Sequence, residues 1–338
     1  MEITATLPAI SAIGCFFVAW TAILYYCEKL YIAAALRYGI TDKSSGGTIA
    51  SGGGIIFPLA YIASEFFSLL TQGAFQYPLF LIGAVIIASV SFLDDAKPQS
   101  PLMRLAVHFA CAALLVWQVC YTTGSAIPAW LIALLAIATV AIVNAFNFMD
   151  GIKGITGCYA LSVILPLMAA GCPEHSESVL LALVPATAVF CTFNFRTPER
   201  CYCGDVGAIF LGYAAALFLC IYSISGTRGE ESVSLDASAA IFIIVYLVDF
   251  SLTLLRRIVK RENLFESHHS HLYQRLAYEC HIPHLAIAAV YALLQVAIST
   301  LYLFMPATMH LPYLGISALT LAILHTIIYR NIEPKSNS

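Results

Sequence analysis

Residues 140–157 read VAIVNAFNFMDGIKGITG, an apolar run that ends in a polar cluster before a second apolar run begins. Asn144, Asn147 and Asp150 recur every third residue, so on a helix that leaves the bilayer they would share one face. Three glycines follow at the same spacing and permit close approach by a backbone or a phosphate. The pattern indicates either a capped loop between two membrane spans or one wall of a site at the membrane surface.

The composition places this pattern in a membrane protein. Hydrophobic residues make up 60% of the 338 residues and charged residues only 10%, whereas soluble domains carry about 25% charged residues. Apolar runs of about 20 residues suit helices that span a bilayer, so we expect an all-α, polytopic transmembrane helix bundle. About 11 spans are predicted, at residues 7–26, 52–72, 77–93, 102–121, 127–146, 154–171, 177–195, 205–224, 237–256, 284–305 and 311–329.

The basic residues predict the orientation of this bundle. With the N-terminus outside and the C-terminus cytoplasmic, all of the 16 Lys and Arg residues except Arg228 fall in cytoplasmic segments, as the positive-inside rule requires. Glu2 stands where a signal peptide would carry a basic residue, so we expect the first helix to be retained. Residues 1–338 are therefore expected to form a single integral membrane domain whose active site is built by cytoplasmic loops.

Acidic residues mark two more span ends on the predicted cytoplasmic side. Asp94 and Asp95 end the third span in SFLDDAKPQSP, and Asp205 opens the eighth in CGDVGAIFLGY. Each has a purely structural interpretation, since acids at helix ends are often solvated and an acid at a helix N-terminus is a good cap. Arg104 lies at the inner end of the fourth span, where it can reach lipid phosphate.

Glycines and histidines supply the remaining candidates. Gly53 belongs to a glycine run that enters the second span, where it serves either close helix packing or phosphate binding. His268, His269 and His271 follow the ninth span in a loop rich in Lys and Arg. A zinc site is the weaker interpretation of this run, because it lacks the i, i+4 spacing of helical metallohydrolase motifs.

The acids and the basic groups together indicate phosphate chemistry. Clustered carboxylates repel one another unless a cation lies among them, and oxygen ligands next to a phosphate suit Mg²⁺, or alternatively Mn²⁺, better than zinc. Such a site at a membrane surface is equipped for phosphoryl transfer. The acids that would converge there are Asp94, Asp95, Asp150 and Asp205.

Four segments carry a resemblance to a known family. SFLDDAKPQSP, NAFNFMDGIKG, CGDVGAIFLGY and HHSHLYQRL resemble the cytoplasmic motifs of the polyprenyl-phosphate N-acetylhexosamine-1-phosphate transferases, in the same order and with similar intervals. The second and fourth are most similar to the bacterial branch that initiates O-antigen and related surface glycans, as part of lipopolysaccharide or cell wall synthesis. These enzymes transfer a sugar 1-phosphate from a UDP-sugar to undecaprenyl phosphate, release UMP and require Mg²⁺.

The resemblance implies partners and a location. The expected partners are a UDP-N-acetylhexosamine, undecaprenyl phosphate and membrane lipids, with a homodimer left open and no nucleic acid. The implied location is the bacterial inner (cytoplasmic) membrane, with several spans and an active site that faces the cytoplasm.

The resemblance also implies roles for the candidate residues. Asp94 and Asp95 would activate the lipid phosphate or help to hold the metal, and Asp205 would be the principal Mg²⁺ ligand. Asp150 would be catalytic at the nucleotide site. The implied substrate-binding residues are Asn144, Asn147, Lys153, His268, His269, His271, Arg104 and Gly53.

The chain differs from the family pattern at three places. The family often has Asp where this chain has Lys153, Ser where it has Ala208, and Pro-Thr-Pro-Arg where it has Ile49, Ala50 and Ser51. These differences bear on which sugar nucleotide is bound more than on the type of reaction.

Two other functional classes compete with a transferase. A secondary transporter would account for Glu65 and Asp249 within spans, but transporters hold their polar groups near the midplane between repeats, and no repeat is visible. An intramembrane prenyltransferase also uses acids and Mg²⁺, but neither Asp94 with Asp95 nor Asp150 has the second acid of a DxxxD-like motif.

Overall fold

The structure is a computed structural model that describes residues 3–42, 46–124, 127–171, 176–225, 235–263 and 269–332. These residues form a helical bundle with two isolated β-bridges. The helices are α1 Ile3–Tyr38, α2 Ile56–Gln72, α3 Pro78–Ala96, α4 Pro101–Thr123, α5 Ala129–Phe148, α6 Ile155–Ala169, α7 Ser176–Asn194, α8 Gly204–Ser225, α9 Ile244–Val259, α10 Leu272–Tyr278, α11 His284–Leu303 and α12 Ala307–Ile332.

The prediction of a polytopic helical bundle is confirmed. In the described ranges, nine helical segments are long and apolar enough to cross a membrane, and two shorter apolar helices accompany them. Each predicted span overlaps one of these eleven. The first helix was predicted too short, because α1 continues to Tyr38 and so carries Lys29 and Arg37, which were assigned to a loop. The seven-residue helix α10 in the histidine segment was not predicted.

Helix α8 lies at the centre of the bundle, in contact with α2, α3, α4, α5 and α6, and nearly all of its residues are buried. Two glycines permit this close packing. A Cβ added to Gly212 would lie 3.0 Å from the Cα of Val143 in α5, and one added to Gly54 would lie 2.3 Å from the Cα of Gly207. Small residues at helix crossings are the usual means of close approach within membranes.

The first loop is fastened to the start of α8 by backbone hydrogen bonds. The N–H of Tyr202 donates to the carbonyl of Ala50 at 2.8 Å, and those of Gly53 and Gly54 donate to the carbonyls of Tyr202 and Cys203 at 2.9 Å. These bonds bring the loop before α2 to the end of the bundle where α8 begins.

The C-terminal helices are joined to α6 through a buried polar contact. A 3₁₀ turn, Ala237–Ile243, leads into α9, and the first N–H groups of an α-helix lack partners within it. The Tyr159 hydroxyl accepts from the N–H of Tyr246 at 3.0 Å and donates to the Gln295 amide oxygen at 2.7 Å. The contact therefore caps α9 and ties it to α6 and α11.

Candidate active site

Asp95, in the last turn of α3, caps the N-terminus of α8. Its two carboxylate oxygens accept the backbone N–H groups of Asp205 at 2.9 Å and Val206 at 3.0 Å. The unpaired N–H groups and the dipole of a helix N-terminus favour an anion at this position. Gly204 has a φ of +73°, and a Cβ there would lie 2.7 Å from both oxygens of Asp95, so only glycine fits. The cap of α8 is thus Asp95 rather than Asp205.

Arg104 bridges carboxylates from two helices. Its Nη1 lies 2.8 Å from Oδ2 of Asp94 at the end of α3, and its Nη2 lies 2.8 Å from Oδ2 of Asp205 at the start of α8. The backbone N–H of Gln99 also donates to Asp94. Because the Asp205 backbone is capped by Asp95, its carboxylate is available to point towards Arg104. The guanidinium therefore holds two of the predicted acids together.

Asn147, in the last turn of α5, completes this network. Its amide nitrogen donates to Oδ1 of Asp205 at 2.8 Å, and its amide oxygen lies 3.4 Å from Nη2 of Arg104. Both partners fix the orientation of the amide. Three of the four motifs that resemble the family, together with Arg104, therefore meet at one end of the bundle.

Asp150 lies beyond the end of α5, in the turn that leads to α6. Its carboxylate accepts a short hydrogen bond from the hydroxyl of Thr156. Burial raises the pKa of Asp150 from its ordinary value of 3.8 to about 7, with a further upward contribution from Asp205 and a downward one from Thr156. Asp150 is therefore poised to exchange a proton near neutral pH.

Asn144 contacts its own helix and His108 in α4. Its amide nitrogen donates to the carbonyl of Val140 at 2.7 Å in its own helix and lies 3.4 Å from Nδ1 of His108 in α4. The prediction of one helical face failed because α5 ends at Phe148, so Asn144 and Asn147 are on the helix but Asp150 is not.

Lys153 pairs with Glu199. Its Nζ lies 2.8 Å from Oε2 of Glu199, and the hydroxyl of Tyr202 donates to the other carboxylate oxygen at 2.9 Å. Burial acts to raise the pKa of Glu199, but the hydrogen bonds from Lys153, the backbone and Tyr202, together with the charge of Lys153, outweigh it, so the pKa is lowered. The charge of Lys153 is thus balanced by the segment that precedes α8.

Gly53 has no N–H group left for a phosphate, because that group donates to the carbonyl of Tyr202. A Cβ on Gly53 would lie 2.7 Å from Sγ of Cys201 and 2.9 Å from Oε1 of Glu28. Of the two interpretations of this glycine, the structure supports close packing, and its role in phosphate binding stays a prediction.

The histidines differ in their surroundings. His269 is exposed, with its ring 5.5 Å from that of Tyr278, and His268 lies outside the described residues. His271 is buried, and its Nδ1 lies 3.3 Å from Oδ1 of Asp249. The sequence placed Asp249 within a span but did not predict its contact with His271.

The carboxylates at this end of the bundle bear on whether a divalent cation could be held there. Among the described residues, no three acidic, His or Cys side chains converge as a preformed metal site. Mg²⁺ does not need one, because it is usually held by one or two carboxylates together with substrate phosphates. Asp94 and Asp205, brought together by a single guanidinium, fit such a partial ligand set.

Comparison with known proteins shows a family to which part of the chain is similar. The family model "Glycosyl transferase family 4" matches residues 77–223. That range includes Asp94, Asp95, Arg104, Asn147, Asp150 and Asp205 but none of the histidines at 268–271.

Three curated relatives are similar over most of the chain. A probable undecaprenyl-phosphate N-acetylglucosaminyl 1-phosphate transferase of Bacillus subtilis is 26% identical over 72% of this chain and 71% of its own length. A decaprenyl-phosphate N-acetylglucosaminephosphotransferase of Mycobacterium leprae is 26% identical over 66% and 65%. A phospho-N-acetylmuramoyl-pentapeptide-transferase of a Picosynechococcus species is 27% identical over 58% and 60%. The chain is thus similar to the polyprenyl-phosphate hexosamine-1-phosphate transferases, and the match to the family model includes the acids that converge on Arg104.

Proposed function

We propose that the protein transfers an N-acetylhexosamine 1-phosphate from a UDP-sugar to undecaprenyl phosphate, giving undecaprenyl-diphosphate-sugar and UMP. The observation that carries the proposal is the convergence of Asp94, Asp205 and Asn147 on Arg104 at one end of the bundle. This arrangement combines anionic ligands for a divalent cation with a planar donor for a phosphate.

The proposed reaction joins two phosphates. An oxygen of the lipid phosphate attacks the β-phosphorus of the UDP-sugar, a new phosphorus–oxygen bond forms, and the bond from that phosphorus to the UMP oxygen breaks. UMP leaves with the bonding electron pair. No covalent intermediate with the protein is required, so the protein acts mainly by positioning and by stabilising charge.

A bound Mg²⁺, or alternatively Mn²⁺, would neutralise the diphosphate and the charge that develops on the leaving UMP. Asp205, assisted by Asp94, is proposed to hold it. Arg104 is proposed to donate to a phosphate oxygen with its fork of N–H groups. Asp95 sets the position of Asp205 by capping α8.

The nucleotide is proposed to lie against Asn147 and Asp150, with the histidine segment on the diphosphate. The first turn of α10 already packs on the loop that carries Asp150, because the hydroxyl of Tyr273 donates to the carbonyl of Phe148 at 3.0 Å. Asp150, with a pKa of about 7, is proposed to hold or release a proton at the reacting phosphates. Lys153 is proposed to influence the choice of sugar nucleotide from the rim of this site.

The proposed setting is the bacterial inner membrane, with this end of the bundle facing the cytoplasm and the product entering surface-glycan synthesis. The distribution of Lys and Arg supports this orientation, and UDP-sugars are soluble donors that approach from the cytoplasm. A cysteine introduced at Lys153 or at Lys260 is expected to be labelled only from the cytoplasmic side.

A substrate panel tests the function. The purified protein in lipid nanodiscs is given radiolabelled UDP-N-acetylglucosamine, UDP-N-acetylgalactosamine or UDP-N-acetylmuramoyl-pentapeptide, with and without undecaprenyl phosphate. We expect one N-acetylhexosamine donor to label the lipid only when undecaprenyl phosphate and Mg²⁺ are present. A preference for the muramoyl-pentapeptide donor would contradict the proposed N-acetylhexosamine substrate. If no donor labels the lipid, the proposed function is refuted.

A further inference from the structure

A second layer of polar side chains lies one turn deeper in the spans than Arg104 and Asn147. His108 follows Arg104 by four residues in α4, and Asn144 precedes Asn147 by three residues in α5. At a rise of about 1.5 Å per residue, the deeper pair lies roughly 4–6 Å further into the two membrane-spanning helices. The two layers therefore follow one another along the contact between α4 and α5, and Arg104 lies in the layer next to the acids.

The hydrogen bonds of Asn144 define the tautomer of His108. The amide nitrogen of Asn144 donates to the carbonyl of Val140 at 2.7 Å, and since a carbonyl oxygen can only accept, this contact identifies the NH₂ end of the amide. The same nitrogen lies 3.4 Å from Nδ1 of His108, a long hydrogen bond. An NH₂ group can only donate, so Nδ1 accepts and the proton of the imidazole is on Nε2.

The Nε2–H group of His108 lies at an accessible edge of a buried ring. The residue is 4% exposed. Among the described residues, no atom accepts a hydrogen bond from Nε2, and Nε2 is not enclosed as the unpartnered hydroxyl of Tyr61 is. A hydrogen-bond donor one turn below a guanidinium favours a ligand that is anionic and can reach both groups.

The two proposed substrates reach Arg104 from opposite directions. A UDP-sugar approaches from water, whereas a polyprenyl phosphate keeps its apolar chain in the bilayer and presents its phosphate from the membrane side. In phosphoryl transfer the attacking and leaving oxygens lie roughly in line, so UMP and the lipid phosphate lie on opposite sides of the β-phosphorus. With the nucleotide against Asp150, the lipid phosphate lies on the side of Arg104 that faces into the bilayer, where His108 is found.

We propose that His108 donates its Nε2–H to an oxygen of the acceptor lipid phosphate, and that Asn144 is a positioning residue that keeps the proton on Nε2. The inference rests on the proposed function, which supplies the acceptor lipid. Arg104 and His108 bind different oxygens of one phosphate, and two contacts of this kind fix its orientation for in-line attack. Asn144 acts through His108 and does not itself touch the substrate.

The main test is the effect of His108→Phe on the two Michaelis constants, measured in nanodiscs of phosphatidylcholine, whose headgroups carry no net charge. A phenyl ring has nearly the size of imidazole but donates no hydrogen bond. Loss of a hydrogen bond to a charged group should raise the KM for undecaprenyl phosphate by roughly 10- to 150-fold. The KM for the UDP-sugar should change by less than about twofold. Equal changes in the two constants, or an unchanged KM for the lipid, would overturn the inference.

His310→Phe is the matched control, because it makes the same substitution at the other end of the bundle. Nε2 of His310 lies 3.1 Å from the carbonyl of Met305 in the turn between α11 and α12. Both Michaelis constants of this variant should match those of the wild type. A rise in the KM for the lipid equal to that of His108→Phe would show a general effect of removing an imidazole and would overturn the inference.

A double-mutant cycle tests the positioning role of Asn144. Asn144→Leu has a similar size but no NH₂ donor for Nδ1, so the proton of His108 can move to that nitrogen. We expect this variant to raise the KM for the lipid, but by less than about twofold when residue 108 is already Phe, because a residue that acts through another adds little once that residue is absent. Additive effects would show direct contact between Asn144 and the lipid, and they or an unchanged KM would overturn the positioning role.

Binding of farnesyl phosphate tests the site without the transfer reaction. Thermal unfolding is followed during titration with farnesyl phosphate or with farnesol, in the absence of a UDP-sugar. Half-saturation by farnesyl phosphate should require a roughly 10-fold or higher concentration in His108→Phe than in the wild type, whereas farnesol should act equally on both proteins. Equal half-saturation by farnesyl phosphate would overturn the inference. If the wild type binds farnesyl phosphate in this manner but labels no lipid from any donor, the proposed function is refuted and the site for a lipid phosphate stands.

Discussion

Replacing Arg104 by Gln should weaken the binding of the phosphate and strengthen the binding of Mg²⁺. The guanidinium bridges Asp94 and Asp205 at 2.8 Å each, so its removal leaves two neighbouring carboxylates without their shared cation. A phosphate then loses a forked donor, whereas a divalent cation meets less repulsion. We therefore expect weaker catalysis together with tighter binding of Mg²⁺.

The structure sets the magnitudes. At an effective dielectric constant of about 20, each contact is worth roughly 6 kcal/mol of gross attraction. The side chains of Arg104 and Asp205 are 27% exposed and that of Asp94 is 11% exposed, so water screens much of it. The pairs thus fall between surface and buried ion pairs, and Arg104→Gln should lower the free energy of unfolding by about 1–3 kcal/mol.

Loss of one charge-assisted hydrogen bond to phosphate, worth about 1.5–3 kcal/mol, should lower kcat/KM by roughly 10- to 150-fold. When thermal unfolding of Arg104→Gln is followed during an Mg²⁺ titration without substrate, half-saturation should occur at an Mg²⁺ concentration at least roughly threefold lower than in the wild type. Arg104→Lys keeps the charge but not the fork, so it should retain the stability but not the activity. Arg196→Gln, at an exposed arginine, is the control.

Unchanged turnover in Arg104→Gln would refute the role of Arg104 at the phosphate. A higher requirement for Mg²⁺ in this variant would refute the placement of the cation between Asp94 and Asp205, since it would show that the guanidinium assists the metal rather than competing with it.

Three further predictions concern single residues. Asp205→Asn should abolish turnover while the protein still folds, because it removes an anionic Mg²⁺ ligand; near-normal activity would contradict its assignment. The pKa of Asp150 is ordinarily 3.8 and is raised to about 7 in the folded protein, so between these pH values the folded state binds a proton that the unfolded state does not. The free energy of unfolding should therefore fall by up to ~4 kcal/mol as pH rises from 4 to 8. Thermal unfolding between pH 4 and 8 should show a smaller loss of stability for Asp150→Asn than for the wild type. An equal dependence of stability on pH in the two proteins would contradict the burial of the Asp150 carboxyl. Lys153→Ala and Lys153→Asp should remove the ion-pair partner of Glu199 and shift the relative kcat/KM among UDP-sugars. Unchanged ratios would show that the ion pair of Lys153 is structural only.

The sequence predicts the meeting of the acids because each motif stands at the end of an apolar run. Antiparallel spans return every second end to the same side, so Asp94, Asn147 and Asp205 must emerge on one side of the bundle. Their separation in the chain does not matter, because span length and the positive-inside rule determine the side.

Contacts made within the bundle were not predictable in the same way. The side chains of Asp249 and His325 lie 3.3 Å apart although the residues are separated by 76 positions, and nothing in the intervening pattern specifies which helices pack together. The pairing of Lys153 with Glu199 depends on a loop conformation that precedes α8, and the cap of α8 by Asp95 depends on how α3 and α8 meet. Periodicity predicts which residues face inward but does not identify their neighbours.

The central claim is that the β-phosphate of the nucleotide sugar moves to the lipid together with the sugar. The most direct measurement uses UDP-N-acetylglucosamine, or another donor that the panel identifies, labelled with ³²P on the β-phosphate, together with undecaprenyl phosphate and Mg²⁺. With the wild-type protein the label should appear in the lipid fraction in an amount equal to the UMP released, and with Asp205→Asn it should remain in the donor. Recovery of the label in UDP would show transfer of the sugar alone and would contradict the account.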